Sequence, residues 1–396
     1  MLIFVLNAGS SSLKYQLIDI KSKELKASGL VERIGIDGIL KHEIGENKKI
    51  TFELPIPTHK EAIELVLRIL TNDETKVINS IDEIKAIGHR VVHGGEHFKG
   101  SVIVDDEVIR KIEELIPLAP LHNPANILGV KICKDLMPKV PNVVTFDTAF
   151  HQTMPMENFL YAVPYADYTE HHLRKYGFHG TSHYYVSQEV IKLLNKKDSK
   201  VIVCHLGNGS SVCAVKDGKS ISTSMGLTPL EGLVMGTRSG DIDAGVIPYL
   251  MEKKGLNHIQ ILDYLNKKSG ILGVSGVSSD LREVIKAAND GDKRSKIAIT
   301  MLCDRIKKYL CSYAGLMHGV DAICFTAGIG ENSDLIREKV CEGLEFMGIE
   351  IDKDKNSKRE KGNREINTKN SKTKIFVIPT NEELVIATDT YNLLKK

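Results

Sequence analysis

The sequence predicts an α/β protein. Three observations carry this: two strand-like runs open the chain, later apolar runs alternate with segments of helical apolar spacing, and Gly/Ser-rich turns stand where strands end. At 396 residues the chain is long enough for two or three domains and a substantial core. Residues 2–6 form a continuous apolar run, which suits a strand buried on both faces. Residues 15–20 (YQLIDI) form a second strand, and NAGSSSLK between the two reads as a tight polar turn.

The helices show in their end signals. Thr58-x-x-Glu61 forms a capping box ahead of AIELVLRIL. Asn123 and Pro124 supply an N-cap and a first-turn proline for ANILGVKICKDL. Ser182 opens HYYVSQEVIKLLNKK, and Ser279 opens DLREVIKAAND, which Gly291 closes. Residues 293–318 carry helical spacing and are expected to form the most buried helix, and Asn332 or Ser333 caps a helix running through 347. KVIVCHLGNGSSVCAVKDG repeats the strand–turn–strand layout of the N-terminus and hints at an internal duplication joined near 148–152. DAICFTAGIGEN reads as a strand, a glycine turn and a helix start. Residues 353–374 carry nine Lys/Arg against three Asp/Glu, which suggests a solvated surface excursion, with a basic anion-binding loop as the alternative.

Composition excludes several classes. Apolar residues make up 42% and charged residues 26%, ordinary for a globular protein, and a net charge of +2 creates no global field for nucleic acid or a membrane surface. The seven cysteines form no CxxC pair and no metal-ligand spacing, so they read as buried free thiols in a reducing cytosol. The chain opens on MLIFVLN without a basic n-region, so no signal peptide is expected. No apolar run approaches the roughly 18–20 residues that span a bilayer.

Three glycine turns are candidate phosphate sites. In Asn7-Ala8-Gly9-Ser10-Ser11-Ser12-Leu13-Lys14, glycine allows close backbone approach and its neighbours offer N–H and hydroxyl donors. Lys14 could meet phosphate charge, and Asn7 could enter a Mg²⁺ shell through water. An ordinary hairpin has the same composition, and the Walker A spacing is absent. His205, Leu206, Gly207, Asn208, Gly209, Ser210 and Ser211 are densely polar where a buried strand emerges; they form a phosphate cradle or a simple hairpin, and they lack GxGxxG. Ala327, Gly328, Ile329, Gly330, Glu331 and Asn332 stand at a strand-to-helix junction, where a helix N-terminus favours anions or a close-packing turn is needed.

Isolated charged residues complete the candidate set. Arg90 in GHRVVHGG and Arg238 in MGTRSGDIDAG could bind carboxylate or phosphate in bidentate fashion, or form surface ion pairs. His179 lies between glycines just before a helix, and Asp147 ends an apolar strand, a frequent catalytic placement that also suits a turn. Glu382 and Glu383 open the last helix behind a cap at Thr380 or Asn381, where acidic residues also suit the helix dipole. HExxH, GxSxG and catalytic CxxC motifs are absent from the sequence. Glycine turns with Arg, His, Asp, Asn and Glu are what phosphoryl transfer requires, because its catalysis is mostly positioning and charge neutralisation.

Taken together, VLNAGSSSLK, GHRVVHGG, FDTAFH, GFHGTSH, VIVCHLGNGSSV, GTRSGDID, SSDLR, AGIGEN and NEEL resemble the acetate kinase family, in its order and over nearly the whole chain. The resemblance implies two RNase H-like domains of the actin-like ATPase fold, with mixed sheets flanked by helices, an interdomain active-site cleft and a homodimer. The expected division is 1–150 with a C-terminal helix at 382–396, and a nucleotide-binding domain at 151–381. It implies a cytoplasmic enzyme acting on acetate, acetyl phosphate and ATP/ADP, with Mg²⁺ or Mn²⁺, and with neither nucleic acid nor membrane as partner. By the same resemblance Asn7 and Glu382 stand near the metal, with Glu383 the alternative, and Lys14 meets the nucleotide phosphates. Residues 205–209, Asp280, Leu281, Arg282 and 328–332 line the ATP site. Arg90 holds the substrate carboxylate, Arg238 and His179 stabilise the transition state, Asp147 is the family's catalytic acid, and Val92, Leu121, Phe178 and Pro229 surround the methyl group. Other readings are a propionate or butyrate kinase, a sugar kinase using Asp147 as a base, an actin-like ATPase without acyl phosphate chemistry, and a phosphoenzyme at Glu382 or Asp147.

Overall fold

A computed structural model describes residues 1–45 and 48–395. The chain divides into two compact units, Met1–Ala149 with Asn381–Lys396 (unit 1) and Phe150–Thr380 (unit 2). Each contains a mixed sheet flanked by helices.

Unit 1 contains β1 (Leu2–Ala8), β2 (Leu13–Asp19), β3 (Glu24–Glu32), β4 (Ile39–Ile44), β5 (Lys48–Glu53), β6 (Ile84–Val91), β7 (Val102–Ile103) and β8 (Asn142–Phe146). Among the described residues these form one eight-stranded sheet in the order β5-β4-β3-β2-β1-β6-β8-β7. The first five strands form an antiparallel meander, while β6 runs parallel to β1, and β8 parallel to β6. The unbroken apolar run of β1 has a direct cause. Phe4 and Leu6 pack in the layer that includes Ala62 and Val66 of the His59–Thr71 helix and Cys133 of the Asn123–Leu136 helix. Ile3 and Val5 pack with Ile386 and Ala387 of the Glu382–Leu394 helix. Alternate side chains point to opposite faces, so a strand covered on both sides must be apolar throughout. Gly88 permits the seating of the last helix: a Cβ there would lie 2.6 Å from Ile386 Cγ2 and 2.8 Å from Thr390 Oγ1.

Unit 2 contains β9 (Lys200–Leu206), β10 (Ser210–Lys216), β11 (Lys219–Thr223), β12 (Ala322–Thr326), β13 (Arg364–Glu365) and β14 (Lys374–Val377), in the order β11-β10-β9-β12-β14-β13. The run β11-β10-β9-β12-β14 has the same pattern of antiparallel and parallel pairing as β3-β2-β1-β6-β8. The repeated layout seen in the sequence therefore extends to sheet order. The Lys293–Met317 helix buries Ala298, Leu302, Ile306 and Leu310 against one face. Val186 and Val190 of the Gly180–Leu194 helix pack with Val201, Val203 and Cys213 on the other.

Several local expectations are corrected. Asn123 does not cap its helix; it is buried, and its side chain accepts from His93 N and donates to His93 O, both at 3.1 Å. Ser182 lies inside the first turn of the Gly180–Leu194 helix, and the N-cap position belongs to His179. Asp280, not Ser279, caps the Leu281–Asn289 helix. Ser333 caps a helix that ends at Cys341 rather than continuing through 347, and a 3₁₀ turn spans Glu345–Met347. Residues 353–374 are not a simple solvated excursion: they supply the Lys353–Ser357 helix, β13 and the start of β14, and they bury Asn356, Ile366, Asn367 and Thr373. Arg337, only 2% exposed, holds this segment by donating to Asn356 Oδ1 at 2.7 Å and Asn356 O at 2.8 Å.

Candidate active site

In unit 1 the β1–β2 turn is fixed from three directions. Gly9 N donates to Ser12 O at 2.8 Å, and His59 Nε2–H donates to Gly9 O at 2.7 Å. Asn126 donates to Ala8 O at 2.7 Å and accepts from Val92 N at 3.0 Å, so one side chain ties the turn to the loop after β6. Asn7 and Lys14 are direct cross-strand partners, which places their side chains on one face of the hairpin. Lys14 Nζ forms an ion pair with Glu383 Oε1.

A charged cluster lies at the ends of the parallel strands. Arg90, near the end of β6, donates from Nη2 to Asp147 Oδ2 at 3.0 Å. Asp147 directly follows β8 and is 1% exposed. Glu382, the first residue of the last helix, interacts electrostatically with Arg90, Asp147, Glu383 and Lys14. Burial pushes its carboxyl up to about 7; Asp147 and Glu383 add to the shift, and Arg90 and Lys14 oppose it. Burial works against the charge of Arg90, but Asp147, Glu382 and Glu383 outweigh it and hold its pKa above the ordinary arginine value. Three carboxyl groups thus face two cationic side chains. That oxygen-rich, acid-excess donor set suits a hard divalent cation. Among the described residues no group of three or more His, Cys, Asp or Glu forms a metal cage.

In unit 2, Arg238 and His179 converge on a glycine. His179 takes the left-handed conformation (φ 56°, ψ 24°) at the start of its helix. The preceding Gly177 has φ +74°, and a Cβ there would press on Thr223 and His151. The His179 ring stacks on His205 at 4.0 Å with an interplanar angle of 23°. A Cβ on Gly209 would lie 3.5 Å from Arg238 Nη1 and 3.6 Å from His179 Nε2, so both donors face the β9–β10 turn. Arg238 also donates to Pro229 O at 3.3 Å. Burial lowers its pKa, yet a guanidinium remains charged in proteins. Gly236 N donates to Asn208 O at 3.1 Å, and a Cβ at Gly236 would overlap Asn208 Oδ1. Glycine at 236 is therefore what lets the Arg238 loop close on the turn.

Behind that turn lies a cavity of about 900 Å³. Gly207 and Asn208 line it from the β9–β10 turn, Asp280, Leu281 and Arg282 from a helix start, and Gly328, Ile329 and Asn332 from the β12 junction. Three segments far apart in sequence thus share one nucleotide-sized space. Asp280 accepts from Arg282 N at 2.9 Å and from its guanidinium at 3.0 and 2.5 Å, which holds the Asp280 carboxyl down to about 2. Glu331 and Gly330 are anchored by Arg337, which donates to both carbonyl oxygens at 2.9 Å, and burial raises the Glu331 pKa. Leu206 belongs to the core, and His205 bonds Ser182 at 2.8 Å.

The apolar residues fall into two pairs. Val92 is buried and Leu121 is 71% exposed in unit 1; Phe178 is buried beside His179 in unit 2, where Pro229 supplies its carbonyl to Arg238. Sequence reasoning missed Asn126, His183 and Arg337 as supports, and it read Ser182 as a helix start and Ser211 as part of the phosphate turn rather than as partners of His205 and His179. It also left unplaced Arg359, which lines the cavity from the basic segment. The excess of Lys/Arg in that segment was the only signal for it.

Comparison with known proteins agrees over the full length. The profile of the Acetokinase family matches residues 2–388. Acetate kinases of Treponema denticola and Fusobacterium nucleatum are 55% and 56% identical, each over 100% of this chain and 100% of the relative. Among solved structures, Porphyromonas gingivalis acetate kinase is 48% identical with a TM-score of 0.95, covering 99% of both chains. A propionate kinase from Francisella tularensis is 45% identical with a TM-score of 0.93, again covering 99% of both. This chain belongs to the acetokinase family.

Proposed function

We propose that this protein transfers the γ-phosphoryl group of MgATP to acetate, reversibly, giving acetyl phosphate and ADP. The observation that carries the reading is the placement of two arginines and a histidine donor. Arg90 stands against buried Asp147 in unit 1, while Arg238 and His179 converge on the glycine turn beside the cavity in unit 2.

Acetate is already ionised at neutral pH and needs no general base. Its difficulty is electrostatic, because one anion must approach another. Arg90 pairs with the acetate carboxylate and Asp147 keeps the guanidinium in place, with Val92, Leu121, Phe178 and Pro229 left for the methyl group. The nucleoside occupies the cavity beside Asp280, Leu281, Arg282 and residues 328–332, with its phosphates against 205–209 and Lys14. A carboxylate oxygen forms a bond to the γ-phosphorus as the bond to the β-phosphate oxygen breaks; ADP leaves and no proton moves. Arg238 and His179 meet the charge that spreads over the transferring oxygens, a contribution that can reach about 10³–10⁵ in rate. Asn7 and Glu382 would hold Mg²⁺ or Mn²⁺, which neutralises phosphate charge when bound. Direct in-line transfer inverts a chiral γ-phosphorus and leaves neither Asp147 nor Glu382 phosphorylated.

A hydroxylamine trap for acyl phosphate, run with MgATP and a series of short carboxylates, tests the proposal. Acetate should give the highest kcat/KM, and absence of acetohydroxamate would overturn it. The likeness to the Francisella propionate kinase supports a second reading with propionate preferred. One methylene is worth about 1–3 kcal/mol in such a pocket, so the same series decides. The proposal includes a cytosolic homodimer: six of the seven cysteines are buried free thiols, and Tyr249, Ile259 and Leu262 present exposed apolar surface. Light scattering that gave a monomer at assay concentration would remove the dimer.

A further inference from the structure

Behind the His179 imidazole lies a polar chain with no part in the steps above. Ser211 of β10 has its Oγ 2.9 Å from His179 Nδ1 and 2.7 Å from His183 Nε2. His183 is 0% exposed, and its Nδ1 has no hydrogen-bond partner among the described residues. Burial, with His151 and His205 nearby, drives its pKa well below the ordinary value, so the ring is neutral.

A neutral imidazole has one N–H and one bare nitrogen. A buried N–H is the costlier group to leave unpaired, so the proton of His183 belongs on Nε2, where Ser211 accepts it. The single hydroxyl proton of Ser211 is then committed to His179 Nδ1. His179 must therefore carry its own proton on Nε2, the atom that faces Gly209 beside Arg238. The neighbouring ring is ordered in the same way. Thr380 Oγ1 donates to Ser182 Oγ at 2.8 Å, which leaves the Ser182 hydroxyl to donate to His205 Nδ1 at 2.8 Å. Two neutral rings stacked at 4.0 Å avoid the repulsion that two imidazolium ions would suffer there.

We infer that Ser211 and His183 are positioning residues that hold His179 as the neutral, Nε2-protonated tautomer. The kinetic consequence rests on the proposed role of His179 as a donor to the transferring phosphoryl group; the tautomer itself does not. If Nδ1 held the proton instead, the nitrogen beside Arg238 would present a lone pair to phosphate oxygens and repel them.

Long-range ¹H–¹⁵N spectra of the full chain labelled at histidine test this, with the His179 signals identified by their loss in His179→Gln. At pH 7 the wild type should show a protonated Nε2 and a bare Nδ1. Ser211→Ala should show mixed tautomers, with kcat reduced about 10-fold, as for other supporting hydrogen bonds, and with little change in KM for ATP. His183→Gln, whose amide can donate to Ser211, should keep the tautomer and most of the turnover, whereas His183→Leu should not. If the His183 variants do not fold, the wild-type and Ser211→Ala spectra still decide. A wild-type His179 protonated on Nδ1, or a spectrum unchanged in Ser211→Ala, overturns the inference. Normal turnover in His179→Ala would instead remove the catalytic role while leaving the tautomer result standing.

Discussion

Arg90→Ala offers the sharpest test of how charge is arranged in unit 1. The Arg90 and Asp147 side chains are 19% and 1% exposed and meet at 3.0 Å. At an effective dielectric of ~20 their attraction is about 5 kcal/mol, most of it offset by the desolvation of both ions. Removing one partner is different, because the surviving buried charge keeps its desolvation cost and loses the attraction that offset it. Asp147 would then lie beside the Glu382 carboxyl with the opposing charge of Arg90 gone. We expect Arg90→Ala to lose about 3–5 kcal/mol of stability and to raise KM for acetate far more than KM for ATP. Asp147→Asn in the Arg90→Ala background should recover a large part of the stability and none of the acetate binding. Urea denaturation of the wild type, both single variants and the double variant measures the first effect, and the hydroxamate assay measures the second. Arg90→Ala stability within about 1 kcal/mol of wild type, or a double variant no more stable than Arg90→Ala, would refute the reasoning.

Four further outcomes are expected. Arg238→Ala should reduce kcat by about 10³-fold or more, with ATP affinity measured by calorimetry nearly unchanged; near-normal turnover would remove the residue from the transition state. Glu382 has its pKa raised from 4.5 to about 7 in the folded chain, so the stability gained by keeping it neutral is complete below about 4.5 and lost as pH rises through about 7. Without divalent cation, the stability of wild type relative to Glu382→Gln should therefore fall by up to about 3 kcal/mol between pH 5 and 8, because the buried histidines titrate alike in both proteins and cancel in the difference. Gly236→Ala, whose methyl would overlap Asn208 Oδ1, should raise KM for ATP while leaving KM for acetate alone; equal changes in both would point to general misfolding. Arg337→Met strips partners from the Gly330, Glu331 and Asn356 carbonyls. It should cost about 3 kcal/mol or more and expose the 353–374 segment to protease.

The sequence alone determined whatever depends on close neighbours. The apolar runs of β1, β9 and β12, the glycine turns that follow β1 and β9, and the caps at Thr58, Ser333 and Asn381 arise from residues within a few positions of one another, so the pattern shows along the chain. β3, β4 and β5 went unseen because few of their residues are buried and they carry Lys and Glu on their exposed faces, which reads as polar loop. Tertiary structure decided where polar side chains spend their hydrogen bonds. Asn123 and Ser182 have the chemistry of helix caps, yet packing sets His93 and His205 opposite them, and the distant partner wins over the local one. The same holds for charge. Arg90 and Asp147 stand 57 positions apart and Glu382 much farther along, so the pKa shifts of Arg90 and Glu382 do not exist until parallel β6 and β8 and the last helix bring the strand ends together. Residue types along the chain specify which groups can ionise or donate; only the fold sets the distances and the burial that decide which of them do.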